Sequence, residues 1–93
     1  MLQVRTDALR RIITQYSMTV GQSATKINFS QNARIVLVQN VSQNDVYFGN
    51  ADVSTANGIK ISAGETVPFN ILEDFKLYLV ANTTSEVRIM EVE

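Results

Sequence analysis

Neither cysteine nor histidine occurs anywhere in the 93 residues of this chain. Without thiols there is no disulfide framework to staple a small fold, and no thiolate site for a metal. Without imidazole the chain lacks both the most common general base and the most common metal ligand. Charge is thin, at 18% of residues, and Asn, Gln, Ser and Thr take its place, which suits polar contacts made from strands. Long apolar runs are missing too: none approaches the roughly 18–20 residues of a membrane-spanning helix. The first twenty residues hold Arg5, Asp7, Arg10 and Arg11 with no continuous apolar stretch between them, unlike a secretory signal. These absences predict one soluble domain made in a cytoplasm. A chain of this length buries only about 60–65% of its unfolded surface, so its core is modest and association would help it.

The net charge of -1 hides an asymmetry. Arg5, Arg10, Arg11, Lys26 and Arg34 face only Asp7 in the first 34 residues, whereas Lys60, Lys76 and Arg88 are outnumbered by acids in the rest. Two consequences are open: pairing across adjacent strands, or a basic arm meeting an acidic surface of another molecule.

Short β-rich runs separated by turn residues fill the chain from about Arg11 onward. Leu9, Ile12, Ile13 and Tyr16 have helical spacing, but Ile12, Thr14, Tyr16, Met18 and Val20 also alternate with Ile13, Gln15, Ser17 and Thr19. The β-branched residues favour a strand over about 11–20. Residues 1–10 then form an N-terminal arm, of the kind that a neighbour orders. Gly21-Gln22-Ser23 reads as a turn before a short strand at Thr25–Phe29, with Ile27 and Phe29 inward. Ile35-Val36-Leu37-Val38 is apolar on both faces and reads as a central strand covered on both sides. Val46–Phe48 follows. Asn57-Gly58 favours a type I′ turn, and Ala63-Gly64 another turn before Thr66–Phe69. Pro68, with no amide proton, belongs at a sheet edge or strand end. Leu72-Glu73-Asp74 reads as a polar corner. Lys76–Ala81 and Glu86–Val92 alternate, the latter with Val87, Ile89 and Glu91 opposing Arg88, Met90 and Val92. Seven to eight short strands about ten residues apart predict an all-β fold, a small antiparallel β-sandwich or flattened barrel over residues 11–93. Its expected core is Ile35, Leu37, Val46, Phe48, Leu77, Leu79, Val87 and Ile89.

The search for chemistry yields little. A Ser62–Lys60 pair would share one face of a strand, but exposed strand residues explain it. Glu65, Glu73 and Asp74 are carboxylates with nothing to set two of them across a cleft. Asn44, Asp45, Asn50 and Asp52 are oxygen donors in one stretch; their spacing misses the calcium-loop pattern, and beside Gly49 they read as turn formers. No catalytic residue, metal site or cofactor is expected. Nucleic-acid binding needs a basic face interleaved with aromatics, against which the overall acidity argues. Exposed Tyr47 or Tyr78 beside Asn and Asp leaves host glycan as a rival ligand.

The order of Arg34, Leu37, Gln39-Asn40 and Ser42, then Asp45-Val46-Tyr47 and Gly49, Asp52-Val53, Asn57-Gly58-Ile59 and Ala63-Gly64-Glu65 resembles a family of small β-sandwich structural proteins of tailed-bacteriophage virions. The resemblance spans residues 20–93. It implies a non-enzymatic virion component, foremost a capsid decoration or cement protein that forms homo-oligomers and holds the major capsid protein. A head–tail, neck or baseplate component, or a glycan-binding module of a fibre or tail tip, are the alternatives it leaves open. The matching residues are turn and core positions, so no functional residue carries over. The residues expected to meet a partner are those of the arm and its junction: Leu2, Val4, Arg5, Leu9, Arg10 and Arg11. Neither nucleic acid nor membrane is an expected partner.

Overall fold

Alternation over Thr14–Val20 and Ser85–Glu91 dictates the two longest strands, and their pairing organises the rest. A computed structural model describes residues 11–93, and the regular structure among them is all β. The strands are β1 Ile12–Val20, β2 Thr25–Lys26, β3 Ile35–Asn40, β4 Val46–Gly49, β5 Ile59–Ile61, β6 Thr66–Asn70, β7 Tyr78–Val80 and β8 Ser85–Val92. They form two four-stranded antiparallel sheets, ordered β1-β8-β3-β6 and β2-β7-β4-β5. The chain is thus one long hairpin folded at residues 50–58, which pairs β4 with β5, β3 with β6, β2 with β7 and β1 with β8. Rolling that hairpin over gives the double-sheet order of a jelly roll. The expected sandwich is therefore present, with eight strands. The N-terminal arm, residues 1–10, lies outside the described residues.

In β8 the residues Ser85, Val87, Ile89 and Glu91 are buried, while Glu86 and Arg88 are exposed. Val87 and Ile89 join Val20, Val36, Val38, Val46, Ile61, Leu77 and Leu79 in one core between the sheets. Each such side chain contributes about 1.5–3 kcal/mol by leaving water. β1 is a strand over Ile12–Val20, so the helical spacing of its apolar residues is not used. A bulge at Ile13, between the pairs Ile12–Val92 and Thr14–Glu91, bends its first turn of ladder. Pro68 lies in β6, at a sheet edge where its missing amide proton costs no ladder bond.

Three expectations need correction. β3 is central, but Val36, Val38 and Asn40 face the core, whereas Ile35 and Leu37 are half-buried on the outer face. Four consecutive apolar residues carry no period-two signal. The register with β8, Val38 opposite Ile89 and Leu37 opposite Met90, makes the choice. Phe48 sits half-buried at the margin of the core rather than within it.

Asn57-Gly58 does not make a type I′ turn: among the described residues only Gly64 and Asp74 have positive φ, at 82° and 64°. The 50–58 loop instead folds back so that buried Val53 packs against two glycines. A Cβ at Gly58 would stand 2.7 Å from Val53 Cγ2 and 2.8 Å from Tyr47 Cβ; one at Gly49 would stand 2.9 Å from Val53 Cγ2. Gly58 is required for space. Gly64 is required for conformation, since it holds the left-handed position of a turn closed by the Glu65 amide donating to the Ser62 carbonyl at 2.9 Å.

Candidate functional site

The β6–β7 connection and Glu93, which follows β8, line one groove at the surface of the sandwich. Arg11 is exposed, and its guanidinium pairs with the Glu93 carboxylate. Its carbonyl accepts the Glu93 amide at 2.9 Å. This is one of the pairings between the basic front and the acidic remainder that the charge pattern left open. Leu2, Val4, Arg5, Leu9 and Arg10 lie outside the described residues, so of the residues expected to meet a partner only Arg11 has a described position.

This open groove of about 910 Å³ is lined by Arg34, Ile35, Ile71, Leu72, Glu73 and Glu93 among others. Its rim is built by a tight turn in which the Phe75 amide donates to the Leu72 carbonyl at 3.0 Å. Asp74 takes the positive φ of that turn, a conformation Asp tolerates better than most side chains. Leu72 consequently points out, 75% exposed. The sequence suggested a polar corner here, and the exposed tip is apolar. Behind the turn the four phenylalanines of the chain form a continuous aromatic row. Phe48 meets Phe69 edge to face at 4.9 Å, Phe69 lies 6.4 Å from Phe75, and Phe75 lies 6.2 Å from Phe29. Such pairs add about 0.5–1.5 kcal/mol each beyond area burial. They give the turn a firm base, so Leu72 is presented from a supported element.

The buried polar groups serve the fold. Glu91 is 1% exposed, and its Oε1 accepts the Ser30 amide at 2.8 Å, which pins the β2–β3 connection. Tyr16 donates its hydroxyl to Glu91 Oε2 at 3.4 Å. Burial first, and the adjacent carboxylate second, push the Tyr16 phenol above its ordinary range. Asn40 is fully buried: its Nδ2 donates to the Asn44 and Ile61 carbonyls, and its Oδ1 accepts from the Ser42 amide and hydroxyl. Among the described residues no buried side-chain polar atom lacks a partner.

The other residues weighed for chemistry are dispersed or used in turns. Lys60 is exposed, while the Ser62 amide is held by Glu65 Oε1 at 2.9 Å. Glu73 and Asp74 are exposed on the Leu72 turn. Asn50 Oδ1 accepts the Asp52 amide at 2.9 Å, the turn-forming role read from its sequence. Tyr47 and Tyr78 are half-buried, with Lys60 directly opposite Tyr47 and Lys26 opposite Tyr78. Leu72 and the aromatic row escaped the sequence reading. One signal was available: Leu72 and Phe75 are apolar residues inside an otherwise polar corner.

Comparisons with protein-family models, curated proteins and solved structures find no match to this chain.

Proposed function

We propose that this chain is a non-enzymatic structural protein of a tailed-phage particle, a decoration or cement protein seated on the major capsid protein. One observation carries the choice of surface: Leu72 and Glu93, the carboxylate that pairs with Arg11, line the same groove. An exposed apolar tip and the root of the N-terminal segment therefore address one partner from one groove. The fold is compatible with this role, since viral capsid domains use jelly rolls; lectins and cupins use them too, so topology alone does not select it. The sequence resemblance favours the particle role. Many equivalent contacts on a symmetric shell would make a modest docking surface collectively strong.

The test is the copy number of this chain in purified particles, by quantitative mass spectrometry against the major capsid protein. A count comparable to the capsid protein supports decoration, and a small ring-like count moves the chain to a neck or baseplate. Absence from the particle overturns the reading. For the surface, Leu72→Asp should leave the fold intact and weaken capsid binding, as should deletion of residues 1–10. A glycan-dependent melting shift lost on changing Tyr47 or Tyr78 would instead assign the chain to glycan recognition.

A further inference from the structure

The two sheets have four edge strands, β1, β6, β2 and β5. Three carry protection against pairing with another chain. β2 has only two residues, one of them Lys26; β5 has three, with Lys60 at its centre; β6 holds Pro68. β1 has none of these three, and its one irregularity, the bulge at Ile13, sits at its first residues and leaves Thr14–Val20 regular. It is the longest strand, nine residues, and IITQYSMTV contains no charge, proline or glycine. Among the described residues its far edge is unpaired.

A second feature lies on the same flank. The side chains that β1 turns toward the core, Thr14, Tyr16 and Met18, are only half-buried, and Ile12 is 50% exposed. Two-residue β2, the edge of the opposite sheet, is too short to cover nine-residue β1. An unprotected edge therefore coincides with incompletely covered apolar side chains.

We infer that β1 pairs antiparallel with β1 of a second copy, joining two four-stranded sheets into one of eight strands across a two-fold axis. Three properties select a second copy. The strand is uncharged, so self-pairing opposes no like charges. A two-fold axis at Tyr16 overlaps the regular part of the strand beyond the bulge at Ile13. It also sets Thr14 against the mate's Met18 and Tyr16 against its own mate, so the half-buried side chains cover one another. The contact is isologous and closes at two copies, which consumes the open edge rather than propagating it. This pairing is a property of the purified chain and is independent of the particle assignment.

The test is sedimentation equilibrium of the full chain over a wide dilution series, with hydrogen exchange of the β1 amides at each end of it. The expected result is a reversible dimer, with β1 amides that lose protection on dilution. Exposed Gln15 and Ser17 lie opposite each other across this axis. The Gln15→Lys, Ser17→Lys variant should therefore be folded but monomeric, as should Gln15→Glu, Ser17→Glu. Mixing the two variants should restore dimers. A monomer at every concentration overturns the inference. So does β1 protection that ignores dilution, which would mean that the chain covers its own edge, and so does a dimer indifferent to the charged variants.

Discussion

The side-chain amide of Asn40 donates to the carbonyl of Ile61 at 3.0 Å, tying the last residue of β3 in one sheet to the last residue of β5 in the other. The same nitrogen holds the Asn44 carbonyl, and the side-chain oxygen accepts twice from Ser42. Asn40→Asp keeps the size and removes both donors, setting a carboxylate against two carbonyls. A loss of about 3 kcal/mol is expected in urea unfolding at neutral pH, the scale of breaking a buried network. The carboxyl of that variant would hold its proton more tightly when folded, so its deficit should shrink as pH falls toward the acid range.

Gly58 and Val53 test packing. Gly58→Ala forces a methyl to within 2.7 Å of Val53 Cγ2, and overpacking of this kind costs about 1–3 kcal/mol. Adding Val53→Ala removes this closest contact and leaves Tyr47 Cβ at 2.8 Å. The double variant should be less destabilised than the two single changes summed, with a coupling of about 1 kcal/mol in a double-mutant cycle. Strict additivity would mean that Tyr47 Cβ, rather than Val53, sets the cost of a side chain at Gly58.

The same substitution at two other glycines separates conformation from space. Neither Gly64 nor Gly21 has an atom within 4 Å of a built Cβ, but only Gly64 has a positive φ, 82°. Gly64→Ala should cost about 1–2 kcal/mol from the left-handed backbone alone. Gly21→Ala should be neutral or stabilising by about 0.5 kcal/mol, because it restricts only the unfolded chain. Thermal unfolding of both variants checks the contrast.

Tyr16 predicts a pH dependence at the alkaline end. Its phenol is raised above the 10.0 of a free tyrosine by burial and by Glu91. The folded chain thus binds that proton more tightly than the unfolded chain does. The resulting stability is fully present below the unfolded value and is lost as pH rises through the folded one. Tyr16→Phe should cost about 1–3 kcal/mol at neutral pH, since it leaves the buried Glu91 Oε2 without its hydroxyl partner. It should also flatten the decline above about pH 10 relative to the parent chain. Denaturant midpoints against pH, measured for both proteins, provide the check, and parallel alkaline declines would exclude Tyr16 as a contributor.

Amino-acid order by itself determined the all-β class and the approximate place of most strands. It also determined the inward face of β8 as far as Ile89, where Val87 and Ile89 alternate with exposed Glu86 and Arg88 and half-buried Met90; Val92, read on the outer face, is fully buried. These are local properties: alternation has one reading once a strand is extended, and Ala63-Gly64 marks a turn because only glycine sits easily at positive φ. The tertiary structure alone decided which face of Ile35–Val38 is core, because an apolar run is symmetric until β8 fixes its register. It also decided that Gly58 serves Val53 rather than a tight turn, since the clash that excludes a side chain comes from a residue five positions away. The groove between Leu72 and the Arg11–Glu93 pair belongs to the same class. Arg11 and Glu93 stand at opposite ends of the described chain, and rolling the hairpin brings them together. Local chemistry is written in neighbouring residues; faces, clefts and edges arise when distant strands find their register.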